Sequence, residues 1–372
     1  MELLSAILGA IILYLIQMYL YNKYWCRNLS VDIAFSKGYA VEDDDMTIKE
    51  TIVNDKLLPI PILKMKFVIS SRLQFSDTDN AAVSDNYYRN DMVSIMMHQK
   101  LIRTLTFRCK KRGYYKINRM EVIGSNLFLS NENILVYKVN TDLYVYPRPI
   151  NDIRFEAAFQ KMLGTVLTKR FINEDPFEFR NIREYQSYDN LKTINWKASA
   201  KTGSLMVNVH DYTSSQQVKI FLNTQSQTLI DYNVLKEEGI RIASALAIIF
   251  INQGIPVSFD TNARDMLTKE PVKVLLDCGN NQIKTIQEAL SRIDLIQEPE
   301  NFMTIFNEEF LKAADHDYII IISTYHRSDF QHFLLSQLKS KTEYIWVIPF
   351  NHETKLQVED GLISKSMPME FI

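Results

Sequence analysis

Residues Leu3–Tyr21 (LLSAILGAIILYLIQMYLY) constrain this chain more than any other stretch. As a helix they rise about 28 Å, close to the roughly 30 Å hydrocarbon core of a bilayer. Only Ser5 and Gln17 are strongly polar. A cleaved secretory leader needs a basic start and a small-residue cleavage site. The chain begins Met1-Glu2 and offers neither, so an uncleaved anchor is expected within residues 1–27. Tyr19, Tyr21, Tyr24 and Trp25 suit an aromatic belt at the membrane surface. Lys23 and Arg27 follow directly, and the positive-inside bias then puts the bulk of a single-pass cell-membrane protein in the cytoplasm.

The 372 residues leave room for two domains behind such an anchor. A formal net charge of -2 gives no pull toward nucleic acid, and no nucleic-acid partner is expected. With only 10 glycines the chain carries neither a GxGxxG nor a GxxxxGK[ST] phosphate loop, so no nucleotide cofactor is expected. Cys26, Cys109 and Cys278 are far apart and form no CxxC pair. They read as free buried thiols in a reducing compartment. None of the six histidines sits in an HExxH, and none accompanies a recognisable nucleophile motif. His210-Asp211 are neighbours, but adjacent residues on a strand point to opposite faces. No catalytic residue is assigned, and an enzyme is not expected.

Residues 28–150 show period-two patterning. Leu29-Val31-Ile33-Phe35 and Leu63-Met65-Phe67-Ile69 alternate with polar positions, and Met120-Val122 and Leu143-Val145 continue it. Many short strands with one apolar face predict an immunoglobulin-like β-sandwich. The polar stretch Asp77–Asp91 reads as a long loop. Lys100, Arg103, Arg108, Lys110, Lys111, Arg112, Lys116 and Arg119 form a locally basic run. It reads as solvated strand faces or as a patch for anionic lipid.

Residues 216–372 change period. Val218–Leu222 is an apolar strand, and Asn233–Asn252 a buried helix stopped by Gly254 and Pro256. Further strands are expected at Pro256–Phe259, Val272–Leu276, Tyr318–Ile322 and Tyr344–Ile348. Helices are expected near Gln282–Leu295 and Asp329–Leu338. Alternating β and α with continuous apolar strands predicts an α/β domain with a largely parallel sheet. The fold class is thus α+β multidomain.

Residues 151–215 connect the two domains and contain the segment Asp175–Tyr212, where charges interleave with Phe177, Phe179, Tyr185 and Trp196. Its Phe179, Arg180, Arg183, Glu184, Tyr185, Asp189, Ile194, Trp196, Lys197, Ala200, Gly203, Leu205 and Val207 fall in order and spacing on a known pattern. This resembles the signature of domain-of-unknown-function family 58. The chain departs from that pattern at Tyr188, Asn195, Lys192 and Lys201, where glycine, aspartate and two arginines are usual. The aromatics read as core or interdomain packing, with the charges as ion pairs. The alternative is an interaction surface made of Arg180, Arg183, Glu184, Tyr185, Asp189, Trp196 and Lys197. Lys201-Thr202-Gly203-Ser204 reads as a hairpin turn feeding a strand Leu205–Val209.

The resemblance implies a von Willebrand factor A-like α/β domain. Such domains hold a divalent cation on a D-x-S-x-S loop after the first strand. Here Asn223, Gln225 and Gln227 stand at those positions, so a degenerate site without metal is expected. The resemblance further implies a membrane-anchored, non-enzymatic scaffold beside a MoxR-type AAA+ ATPase and a transglutaminase-like membrane protein, serving protein maturation or the cell envelope. The competing readings are a metal-dependent A-type binding module and an uncharacterised hydrolase or transferase.

Overall fold

The computed structural model describes residues 2–76, 81–84, 86–150, 153–172, 179–186, 191–210, 217–226, 233–311, 317–337, 343–352 and 356–371. It divides into two compact units, Met1–Arg148 and Pro149–Ile372.

The first unit opens with helix α1 (Glu2–Tyr24), long and apolar enough to cross a membrane. Ten strands follow among the described residues: β1 (Leu29–Phe35), β2 (Tyr39–Val41), β3 (Asp45–Asn54), β4 (Ile60–Ser70), β5 (Leu73–Phe75), β6 (Ala81–Val83), β7 (Asn86–Ile95), β8 (Gln99–Cys109), β9 (Gly113–Ser125) and β10 (Glu132–Tyr146). They form two sheets, ordered β1-β3-β8-β5 and β2-β10-β9-β4-β7-β6. Every pair is antiparallel except β2 with β10. Inward residues of both sheets, among them Ile33, Ile48, Met65, Phe107 and Val122, share one core, which makes the unit a β-sandwich.

Three expectations change here, and the basic run takes its place on solvated strand faces. The stretch Asp77–Asp91 is not one loop: β6 and most of β7 lie in it, although residues 77–80 and 85 fall outside the described set. Tyr87, Arg89 and Asp91 point inward, so a period of two was present but carried by charge. Tyr21 and Trp25 are not belt residues. Both are buried in the sandwich core, and the Tyr21 hydroxyl donates to the Pro59 carbonyl at 2.8 Å. The basic run is dispersed along β8 and β9. Gln99 pairs with Asn54, which pairs with Leu29 beside α1, whereas Arg108 pairs with Asp45 at the other end. Lys110 and Lys111 therefore stand roughly 30 Å from the end that carries α1. Arg103 turns toward Glu50 and Asp91, and Arg108 toward Asp43. Finally, Cys109 is buried but Cys26 is exposed.

The second unit contains α2 (Ile153–Ile172), β11 (Phe179–Glu184), α3 (Trp196–Thr202), β12 (Met206–His210), β13 (Gln217–Asn223), α4 (Asn233–Asn252), β14 (Val257–Asp265), β15 (Pro271–Asp277), α5 (Asn280–Arg292), β16 (Ile293–Asp294), α6 (Phe302–Leu311), β17 (Asp317–Ser323), α7 (Ser328–Gln337), β18 (Glu343–Phe350) and β19 (Ser366–Glu370). Its main sheet runs β15-β14-β13-β17-β18-β19, with β16 beside β14. The pairings from β14 through β19 are parallel, while β15 and β16 join β14 antiparallel. The order runs outward in both directions from β13, the doubly wound arrangement.

Alternation along the strands feeds two cores. Val218, Ile220, Leu222, Ile320 and Val347 pack with α2, α4 and α5. Phe221, Ile319, Ile321, Trp346 and Ile348 pack with α6 and α7 on the other face. α2 lies inside the stretch read as a connector, yet Phe155, Phe159, Met162, Leu163 and Val166 belong to the first of these cores. α4 ends where expected: Gly254 adopts φ +71, and its N–H donates to the Ile251 carbonyl at 2.9 Å.

Candidate functional site

The signature segment folds as a small module of β11, β12 and α3. β11 and β12 pair antiparallel, with Arg183 opposite Val207 and Glu184 opposite Met206. Asn195 caps α3: its Oδ1 accepts from the Ala198 N–H at 2.9 Å, and its Nδ2 donates to Asn208 Oδ1 at 2.7 Å. Aspartate and asparagine cap helices about equally well, which accounts for asparagine at this position. Ser199 ties helix to strand, its hydroxyl donating to the Asn195 carbonyl and accepting from the Met206 N–H, each at 2.8 Å. Lys201-Thr202-Gly203-Ser204 is not a hairpin turn but the end of α3. Gly203 adopts φ +76 and donates its N–H to the Ser199 carbonyl at 3.0 Å.

This scaffold holds Trp196 at the first position of α3 with 70% of its surface exposed. Of the readings core packing and interdomain packing, Trp196 does not take the first: it is not part of this unit's core. The cap fixes the helix start and turns the indole outward, while Ile194 and Val207 take the buried positions. Leu191, Leu205 and Ile182 are exposed on the same module, as are Lys197 and Lys201. Arg183 is half-buried and donates through Nη1 to the Glu184 carbonyl at 3.1 Å. Glu184 is exposed, and Tyr185 is half-buried with its N–H donating to the Leu205 carbonyl at 2.8 Å. Arg180 lies on β11, but its side chain is outside the described set, as are the side chain of Phe179 and the whole of Phe177 and Asp189.

Ligands of open α/β folds bind at the carboxyl edge of the parallel sheet, which here is formed by the ends of β13, β14 and β17. Asn223 ends the central strand, buried. Its Oδ1 accepts from the Gln225 N–H at 3.0 Å and from Asn262 Nδ2 at 3.1 Å. Its Nδ2 donates to Ser323 Oγ at 3.1 Å. Asn262 Oδ1 in turn accepts from the backbone N–H and the hydroxyl of Thr224 at 2.9 and 3.1 Å. Three parallel strands are thus clasped by neutral amides and hydroxyls whose lone pairs and protons satisfy one another. A cation would have to break these bonds, and Asn223, Thr224, Asn262 and Ser323 offer it no carboxylate. The ammonium of Lys236, on α4, reaches the same loop and donates to Ser226 Oγ at 2.9 Å, adding a positive charge there. Gln227 lies outside the described residues.

Among the described residues no group of three or more His, Cys, Asp or Glu side chains could hold a metal ion. His326 is buried with Nδ1 3.0 Å from the Thr324 carbonyl, a backbone anchor. His98, His332 and His352 stand near Asp55, Glu359 and Glu370 at exposed sites. Asp211 and the side chain of His210 are outside the described set. Sequence reasoning missed Asn262 and Lys236. Asn262 stands five residues beyond the start of β14 and Asn223 six residues beyond the start of β13, and each comes after an apolar stretch, VSF and VKIFL, which was the available signal.

No family model matches the chain, and no curated protein matches it. Solved structures match it over about a third of its length. The PapD-like domain 7 of human CEP192 is 11% identical, covering 32% of this chain and 86% of that one at TM-score 0.21. A non-cellulosomal cohesin from Archaeoglobus fulgidus is 12% identical, covering 35% and 97% at TM-score 0.22. The OlpC cohesin in complex with Doc435, from Clostridium thermocellum, is 11% identical, covering 32% and 94% at TM-score 0.24. Scores at this level add nothing to the assignment of the sandwich, which rests on its own two sheets.

Proposed function

We propose that this chain is a membrane-anchored, non-enzymatic scaffold that docks a protein partner through the Trp196 face of its signature module. The exposed Trp196 carries this reading. An indole loses little conformational freedom on binding and buries a large area, and here a capped helix and a paired strand hold it in place. Lys197, Lys201 and the guanidinium of Arg183 on the same module favour an acidic partner surface. The resemblance to family 58 supplies the partner class, a MoxR-type AAA+ ATPase, with a transglutaminase-like membrane protein as a further associate.

Two other features support the reading. Tyr21 and Trp25 belong to the sandwich core, so removal of α1 as a leader would damage the domain it precedes. Lys23 and Arg27 favour a cytoplasmic domain. The doubly wound order, with Asn223–Gln225 at the carboxyl end of the central strand, supports an A-like domain whose cation loop has become a neutral clasp.

The test is a gentle-detergent pull-down of the tagged full-length protein beside its Trp196→Ala and Arg183→Glu variants. The wild type is expected to recover an AAA+ ATPase, and Trp196→Ala to weaken its binding about tenfold or more, a change of roughly 1.4 kcal/mol. No ATPase with the wild type, or equal recovery with all three folded proteins, contradicts the proposal.

A further inference from the structure

The β9–β10 loop, Asn126–Asn131, lies alongside α1. Tyr14 donates its hydroxyl to Ser130 Oγ at 3.1 Å, and its ring centroid stands 5.8 Å from that of Phe128. Nearer the sandwich, Asn22 Oδ1 accepts from the side chains of Asn131 and Asn133 at 2.9 and 3.3 Å. The loop therefore reaches from the level of Asn22 to that of Tyr14, about 12 Å along the helix.

This contact has a consequence for any span built on α1. From Leu3 to Tyr14 the helix rises only about 17 Å, whereas a hydrocarbon core is roughly 30 Å thick. If α1 crosses a bilayer, the level of Tyr14 lies within the hydrocarbon, and the loop lies there with it. Its composition suits that place: the tip is Leu127, Phe128 and Leu129, exposed by 53%, 62% and 55%. Its polar groups are turned onto one another. Asn126 is buried, its Nδ2 donating to Ser130 Oγ at 2.8 Å and its Oδ1 accepting from the Ser130 N–H at 2.9 Å, while the Leu129 N–H donates to the Asn126 carbonyl at 3.1 Å. Hydrocarbon tolerates backbone of this kind only where its polar groups are satisfied internally or shielded by protein. The same end of the sandwich exposes Leu57, Met96 and Met97, on turns joined by the Asn54 amide donating to the Leu58 and Met96 carbonyls.

We propose that the Leu127–Leu129 tip is a second membrane-inserting element, immersed in the leaflet beside α1, with Leu57, Met96 and Met97 meeting its surface. The anchor is then a helix braced by a loop, which restricts how the sandwich can rotate and tilt on the membrane. The inference rests on α1 being a membrane span.

The experiment uses the full-length chain in phosphatidylcholine liposomes, with Cys26 and Cys278 replaced by serine. A polarity-sensitive fluorophore is placed in turn by Phe128→Cys, Leu8→Cys and Lys37→Cys. Lys37 is exposed in the β1–β2 turn, at the end of β1 away from α1. Nitroxides carried on the lipid acyl chains report immersion. Quenching at Phe128 several-fold above that at Lys37, together with quenching at Leu8, is the expected result. Quenching at Leu8 but not at Phe128 overturns the inserted loop and leaves the anchor standing. Quenching at neither overturns the anchor reading and the loop with it.

Discussion

Glu50 is fully buried inside the sandwich, and among the described residues neither of its carboxylate oxygens has a hydrogen-bond partner. Burial, and then the charge of Asp91, push its pKa from 4.5 up to about 7, although Arg103 and Arg89 pull the other way. A carboxyl raised on folding binds its proton more tightly in the folded state. Its contribution to stability is therefore complete below about 4.5 and is lost as pH rises through about 7. The first unit should lose up to roughly 3 kcal/mol of stability between those limits. Glu50→Gln should flatten that slope, read from the unfolding transition of the first unit at a series of pH values. An unchanged slope would contradict the assignment. At the sheet edge, Asn223→Asp replaces the amide that donates to Ser323 Oγ with a buried carboxylate that cannot donate. It should cost about 1–3 kcal/mol. By the same argument, Mg²⁺ or Ca²⁺ should leave the melting temperature of the wild-type protein unchanged. A clear upward shift would restore the cation site.

Elements differ in how plainly the sequence announced them. β13, β17, β18 and α4 were legible because burial on two faces leaves apolar runs that only a covered sheet or a core helix can satisfy. β7 was hidden because Arg89 and Asp91 hold its inward positions, bonded at 3.0 Å through Nε with Arg89 against the ring of Phe75. Hydrophobic alternation does not detect a buried ion pair. α2 carries a legible stripe at Phe155, Phe159, Met162, Leu163 and Val166, but the charges of the neighbouring signature mask it as a connector. α3 is too short to show a period, and its evidence lay in its ends, Asn195 and Gly203. The outward-facing Trp196 was not legible, because an aromatic residue alone does not say which way it points. The joint between α1 and the sandwich also depends on a small residue. Gly124 faces Trp25 so closely that an added Cβ would collide with the indole. Gly124→Ala should therefore cost about 1–3 kcal/mol and loosen the joint, seen as faster hydrogen exchange in β9 and in Trp25–Leu29. Exchange equal to wild type would mean the joint adapts without strain.

At the scale of the molecule, the chain combines an apolar helix seated in a β-sandwich with a doubly wound α/β unit bearing a polar clasp and an exposed tryptophan. Its outward features, the exposed apolar helix and the exposed Trp196, suit contact with a membrane and with a protein. The proposed docking surface is the Trp196 face. It is tested most directly by placing a photo-crosslinking amino acid at position 196 of the full-length protein in its own cells, with a second copy of the experiment at exposed Leu275 on β15. One dominant adduct is expected from position 196, an AAA+ ATPase, absent from position 275. No adduct from position 196, or the same adducts from both positions, would contradict it.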